Sequence, residues 1–230
     1  MNDSIYKKVS QYVTGLFEEY PHPNLTYHDL GHTKTVVARA QEIAAHYQLN
    51  ENDMLAVYSA AWFHDTGHLF AEISGHEDKS VEIMKEFMLQ HGYGTDVIQL
   101  IEGCIRATRI PHEPKGLLQE ILCDADTYHF GTKEFKKTNK LIHKEYELRG
   151  YTTFTIDWEK NTLELLEQHQ FFTSYCQVLL NEGKQKNIER ARKRFLGVNN
   201  LSSNTPVAPE EKDPASEKQK MSIMARGLQT

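Results

Sequence analysis

The apolar residues of this chain recur with a helical period almost from end to end. Ile5, Val9, Tyr12, Val13, Leu16, Phe17 and Tyr20 follow the i, i+4, i+7, i+8 spacing of one helix face. Asp3 or Ser4 is placed to cap its start, and Pro21 and Pro23 to end it. The period predicts a second helix over about 33–47 on Val36, Val37, Ala40, Ile43 and Ala44. A third begins after an Asn50 cap with Asp53 three residues on, carries Leu55, Tyr58, Ala61 and Trp62, and stops near Gly67. Further helices fit about 76–91, 96–107, 116–130 and 132–149, with Pro111 and Pro114 marking the loop between the middle pair. A long amphipathic stretch over about 157–181 and a last helix over about 187–196 complete the pattern, with no sustained period of two. The expected fold is an all-α bundle of about eight to nine helices.

From about Leu201 the composition turns to Ser, Asn, Pro, Glu and Lys, which cannot bury enough apolar surface to offset the entropy of ordering. The expected organisation is therefore one domain over 1–200 and a polar, disordered linker or tail over 201–230. The tail ends in an apolar return, Met221, Ile223, Met224 and Leu228, too short to fold alone. The sequence carries no internal repeat, P-loop or Gly-rich dinucleotide turn; Gly92-Tyr93-Gly94 reads as a helix stop.

Composition narrows the classes. At 230 residues, with 39% hydrophobic and 25% charged residues, the chain can bury a core without disulfides or a structural metal, so a bound metal would be functional. Twenty-six basic residues against 32 acidic ones give a net charge of -6, the wrong sign for bulk electrostatic binding of nucleic acid. Cys104, Cys123 and Cys176 are odd in number and set in apolar contexts, as buried thiols of a reducing compartment are. The first residues lack signal-peptide character, and no apolar run approaches the roughly 18 residues of a membrane span. These features predict a soluble, cytoplasmic chain.

The candidate chemistry is histidine-rich. Of twelve histidines, seven (His22, His28, His32, His46, His64, His68 and His76) lie within the first third of the chain. The pattern is Tyr27-His28-Asp29-Leu30-Gly31-His32, then His64-Asp65-Thr66-Gly67-His68, then His76-Glu77, then Asp124-Ala125-Asp126, each at an expected helix end or turn. Two imidazoles and two carboxylates form a mixed nitrogen and oxygen site suited to a divalent Mn, Fe, Co, Ni, Zn or Mg ion, with positions left for water and substrate. Residues four apart on a helix lie about 6 Å apart on one side. In the His28–His32 and His64–His68 pairs, one member can therefore reach a metal and the other a substrate.

In order and context, His32, His64, Asp65 and Asp126 resemble the HD superfamily of metal-dependent phosphohydrolases, an all-helical family, over about residues 25–180. Its pattern is a His on one helix, a His-Asp pair ending a later helix and an Asp on a helix further on. The resemblance implies His32, His64, Asp65 and Asp126 as metal ligands, with Asp65 also in the catalytic set. The Tyr27-His28 segment is similar to that of cyclic nucleotide phosphodiesterases, which implies His28 as proton donor, with His68 the other candidate. General acid catalysis of this kind is worth about 100-fold to 10,000-fold in rate. Ala125-Asp126-Thr127-Tyr128-His129 resembles the last ligand helix of guanosine tetraphosphate hydrolases, which favours Asp126 over Asp124. The implied reaction is hydrolysis of a small phosphorylated substrate, a nucleotide mono- or diester, by metal-activated water.

His76 resembles a third histidine of HD proteins that hold two metals, but the usual further histidine is missing from Cys104-Ile105-Arg106-Ala107-Thr108-Arg109. His112 lies beyond Pro111, reachable only through a bent loop, so one metal per chain is expected. Arg106 and Arg109, with His112 and Lys115, form a basic stretch with few acidic residues nearby in sequence, read either as a phosphate-binding guanidinium fork or as a solvated loop. His76 and His112 join this substrate-binding set. The run Lys184, Lys186, Arg190, Arg192, Lys193 and Arg194 reads as a solvated helix face. The last ten residues, Met221 to Thr230, resemble the entry to a two-helix membrane module that follows an HD domain in some bacterial Pycsar-type proteins, which implies that a membrane module follows in a longer protein. The competing function is a nucleotide-sensing module with little or no turnover that regulates an attached or associated partner.

Overall fold

The computed structural model describes residues 3–202, and within them the chain is wound around one helix. In order, the elements are α1 (Asp3–Glu19), α2 (Leu30–His46), α3 (Glu51–Phe63), a 3-10 turn (Thr66–Leu69), α4 (His76–Gln90), α5 (Thr95–Ala107) and α6 (Leu117–Asp126). A second 3-10 turn (Tyr128–Gly131), α7 (Phe135–Leu148), the single-turn α8 (Thr152–Thr155), α9 (Trp158–Gln168) and α10 (Ser174–Ser202) follow. The fold is all-α, with no strand among the described residues. No helix there is long and apolar enough to cross a membrane. The boundary expected at residue 200 falls in the last turn of α10; the polar tail from 203 and the membrane-module resemblance at 221–230 lie outside the described residues.

The central helix is α3. Every residue from Leu55 to Phe63 is buried, polar Ser59 included, and a helix without a polar face must be covered on all sides. Helices α1, α2, α4, α5 and α6 all pack against it. Val36, Ala40 and Ile43 of α2, Met84, Phe87 and Met88 of α4, Ile101 and Ile105 of α5, and Ile121 and Leu122 of α6 fill the core around it. Its small residues Ala56, Ala60 and Ala61 leave room for close-packed neighbours. Asn50 caps it as expected, its side chain accepting from the Asp53 amide at 2.9 Å. The far end of α3 therefore delivers His64 and Asp65 into the interior.

The helix expected over 116–130 ends at Asp126 and is followed by the second 3-10 turn, and two further boundaries differ from the sequence expectation. The stretch over 157–181 is not one helix, because buried Asp124 accepts hydrogen bonds from the Phe172 amide (2.8 Å), the Thr173 amide (2.8 Å) and the Thr173 hydroxyl (2.6 Å). That anchor breaks the stretch after Gln168 and starts α10. Conversely, the expected break before 187 is absent, and Gly183 sits inside α10. The second 3-10 turn crosses α10 there so closely that a Cβ on Gly183 would lie 1.8 Å from the Gly131 carbonyl oxygen. Gly183→Ala is expected to lower stability by about 1–3 kcal/mol or more, since backbone must move. Gly197→Ala, which meets nothing within 4 Å, should instead stabilise α10 by up to about 1 kcal/mol. Thermal unfolding of the two variants checks the pair; equal Tm values would contradict the close approach.

Candidate metal centre

Three helix ends meet at one buried point. His32 lies in the first turn of α2, fixed by the Asp29 cap, whose carboxylate accepts from the His32 amide at 2.9 Å. His64 follows α3, and its Nδ1–H donates to the Ala61 carbonyl at 2.9 Å, one of the carbonyls a helix end leaves open. That bond leaves the Nε2 lone pair facing the cluster, the arrangement of a metal-ligating imidazole. Asp65 comes next, and Asp126 is the last residue of α6. His32 Nε2 lies 3.2 Å from Asp65 Oδ2 and 3.0 Å from Asp126 Oδ1. His64 Nε2 lies 3.1 Å and 3.7 Å from the same two oxygens.

These atoms are close but not hydrogen-bonded. His32 Nε2, His64 Nε2 and Asp65 Oδ2 are all buried without a hydrogen-bond partner. One such orphan costs about 1–3 kcal/mol, and three aimed at one spot fit a divalent cation that would bond them all. The donor set, with ligand atoms of His32, His64 and Asp65 mutually within 4.8 Å, suits a divalent ion. Burial alone would lower the basicity of His32, but the Asp126 and Asp65 carboxylates hold it up to about 9. His64 is likewise raised against the effect of burial by Asp65 and Asp126. Burial would raise Asp65 and Asp126, yet the facing imidazoles hold both well below the carboxylate range.

A second row of histidines flanks Asp65. The rings of His28, His68 and His76 form a stacked column, with centroids 4.4 Å and 3.8 Å apart. His68 Nε2 (3.9 Å) and His76 Nε2 (3.7 Å) face Asp65 Oδ1, the oxygen turned away from His32 and His64. Gly67 makes this possible: a Cβ there would lie 1.9 Å from the His76 carbonyl oxygen, so only glycine lets the His68 turn lie against the start of α4. Ser80 ties the two together, accepting from the Gly67 amide and donating to the His64 carbonyl. Burial first, then neighbouring His28, His76 and Arg149, push His68 well below the ordinary imidazole range.

Two residues that the sequence reading missed hold this column, Glu145 from α7 and Arg149 from the cap that follows it. Glu145 is fully buried and accepts from the Tyr27 amide (2.8 Å), the His28 amide (3.1 Å) and His28 Nδ1 (2.5 Å). Burial would raise its pKa, but the hydrogen bonds and charge of His28 hold the carboxyl below its ordinary value. Arg149 donates to His68 Nδ1 and to the Ala71 carbonyl, both at 3.0 Å. In Lys144-Glu145-Tyr146-Glu147-Leu148-Arg149 nothing local marks two charged residues as buried.

The remaining expected residues fall outside this centre. Arg106 and Arg109 have acidic partners after all, Glu77 and Asp78 from the neighbouring α4 and Glu102 one turn earlier on α5 itself. Arg106 pairs with Asp78 and Glu102, and Arg109 with Asp78 at 2.9 Å and Glu77 at 3.4 Å. The loop after Ile110 does bend back, and His112 Nε2 donates to the Thr108 carbonyl at 3.1 Å. Its ring meets His169 and Phe172, and the Asp126 carboxylate is near enough to act on its charge. Asp124 serves α10, leaving Asp126 as the α6 carboxylate among the histidines.

Helix ends gather two histidines and two aspartates at a buried point around a central helix, in an all-α domain whose donor set could hold a metal ion. The HD domain family model matches residues 29–131, a span that includes His32, His64, Asp65 and Asp126; the chain carries an HD domain and belongs to that superfamily. Membership supports a metal-dependent phosphohydrolase-type function in general terms. Among solved structures, that of a predicted HD superfamily hydrolase from an uncultured Thermotogales bacterium is similar over 83% of this chain and 91% of that one. Its TM-score of 0.53 at 20% identity speaks to the fold. No curated protein matches the sequence.

Proposed function

We propose that this chain hydrolyses a phosphoester, a nucleotide mono- or diester by the family resemblance, with His32, His64, Asp65 and Asp126 holding one divalent ion. The observation that carries the reading is the set of three orphaned buried atoms, His32 Nε2, His64 Nε2 and Asp65 Oδ2, beside Asp126. An ion there would lower the pKa of water toward neutrality and polarise a phosphoryl oxygen. Asp126, whose side chain is 22% exposed while the other three are nearly closed off, marks the open side for substrate. As the phosphorus–oxygen bond to the leaving group breaks, His28 supplies a proton to the departing oxygen. Glu145, accepting from Nδ1–H, turns Nε2 toward the site and supports the doubly protonated ring, which returns to the neutral form when Nε2 gives up its proton.

Arg106 and Arg109 each already face carboxylates, so a phosphate there would compete with Asp78 for the same guanidinium groups. The test is metal analysis followed by Mn, Co or Ni titration against a chromogenic bis-ester, then cyclic and linear nucleotides. Turnover that tracks metal content is the expected result. Full loading with no turnover on any ester, together with nucleotide binding, would replace this reading with the sensing module.

A further inference from the structure

The second histidine row raises a separate question. Asp65 with His28 and His68 offers another set of ligand atoms within 4.8 Å of one another, and His76 Nε2 adds to it. We propose that Arg149 fixes His68 as an Nε2–H donor and so closes this second group to a metal ion. The inference rests on reading the first group as the metal centre.

The argument is one of donors and acceptors. A guanidinium has only N–H groups, so the Arg149–His68 bond at 3.0 Å makes His68 Nδ1 the acceptor. The single ring proton of a neutral His68 then sits on Nε2, the atom that faces Asp65. To bind an ion through Nε2, His68 would have to carry its proton on Nδ1, setting two buried N–H groups head to head. His64 and His76 are built the other way round, with Nδ1–H on the carbonyls of Ala61 and Ile73 and lone pairs on Nε2.

Arg149 has no easy exit. Its side chain is 6% exposed, its other amino group donates to the Ala71 carbonyl, its cation lies 3.8 Å from Glu145 Oε1, and its guanidinium carbon sits 5.5 Å from the Tyr151 ring centre. The same positive charge repels a second cation beside His68. What remains is His68 Nε2–H, buried and without a partner, aimed at the Asp65 side of the site. It suits an anionic phosphoryl oxygen as a hydrogen-bond donor that keeps its proton. Arg149 is thus a positioning residue, and His68 the donor it sets.

Ring nitrogen-15 correlation spectra of the zinc-loaded chain, with His68 assigned from His68→Gln, read the tautomer directly. The proton is expected on Nε2 with Nδ1 bare. Zinc titration of the wild type should saturate at about one ion per chain, and Arg149→Met should move the end point toward about two with loss of the His68 Nε2–H signal. A wild-type His68 protonated on Nδ1, or bound to zinc through Nε2, overturns the proposal. So does an Arg149→Met chain that keeps both one ion and the Nε2–H signal. If that variant fails to fold, the wild-type spectrum decides alone. A wild type that takes no zinc sinks the metal-centre reading, and the spectrum of the zinc-free chain still settles the tautomer.

Discussion

Asp65→Ala should empty the metal centre and abolish turnover. One carboxylate serves both rows, Oδ2 lying 3.2 Å and 3.1 Å from His32 and His64 while Oδ1 faces His68 and His76. Removing it strips a proposed ligand and takes away the carboxylate that His32, His64, His68 and His76 face in common. Bound metal should fall from about one per chain to near zero, and kcat/KM by about 1,000-fold or more, as loss of several kcal/mol of charge stabilisation requires. His64→Ala should behave alike, whereas Asp124→Asn should keep the ion and lower Tm, because Asp124 anchors Phe172 and Thr173. Elemental analysis beside unfolding curves separates these outcomes; full occupancy in Asp65→Ala and His64→Ala would refute the ligand assignment.

Metal affinity should also depend on pH with a definite sign. In the ion-free chain the carboxylates hold His32 up to about 9, so near pH 7 its ring is protonated and an entering ion must displace that proton. Affinity is expected to rise as pH climbs toward 9, with proton release on binding. The pairing that keeps His32 charged contributes stability to the ion-free fold below about pH 6.5, and that contribution is lost as pH rises through about 9.

The second large effect is expected at His28. His28→Ala should retain the ion and lose about 100-fold to 10,000-fold in turnover on esters with poor leaving groups. Nitrophenyl esters, whose leaving group needs little protonation, should lose less. Glu145→Gln should give the same leaving-group dependence in weaker form, since the amide can still accept a bond but cannot back the ring with charge. Equal losses on both ester classes, or loss of the metal in His28→Ala, would make His28 structural or a ligand and return the proton-donor role to another group.

The four-residue cluster was legible because each member sits in a short motif at a helix end, and helix ends are where an all-α chain can bring side chains together. His32 follows its own cap and His64-Asp65 closes the most apolar helix, so local pattern carries both. Glu145 and Arg149 were hidden for the opposite reason. Their burial is decided by contacts to His28 and His68, 117 and 81 residues away, and a charged pair four apart on a helix otherwise reads as surface. The α4 partners of Arg106 and Arg109, Glu77 and Asp78, escaped for the same reason. The helix boundaries near 170 and 185 turned on a carboxylate in α6 and a glycine in the 3-10 turn, neither of which alters the apolar period of its partner segment.

Sheathed by five other helices, α3 has amides that should exchange with deuterated water only when the whole domain opens. His64 and Asp65 hang from the end of that slowest-exchanging segment. The half of the cluster they form is therefore preorganised: an arriving ion orders no loop there and loses little affinity to conformational entropy.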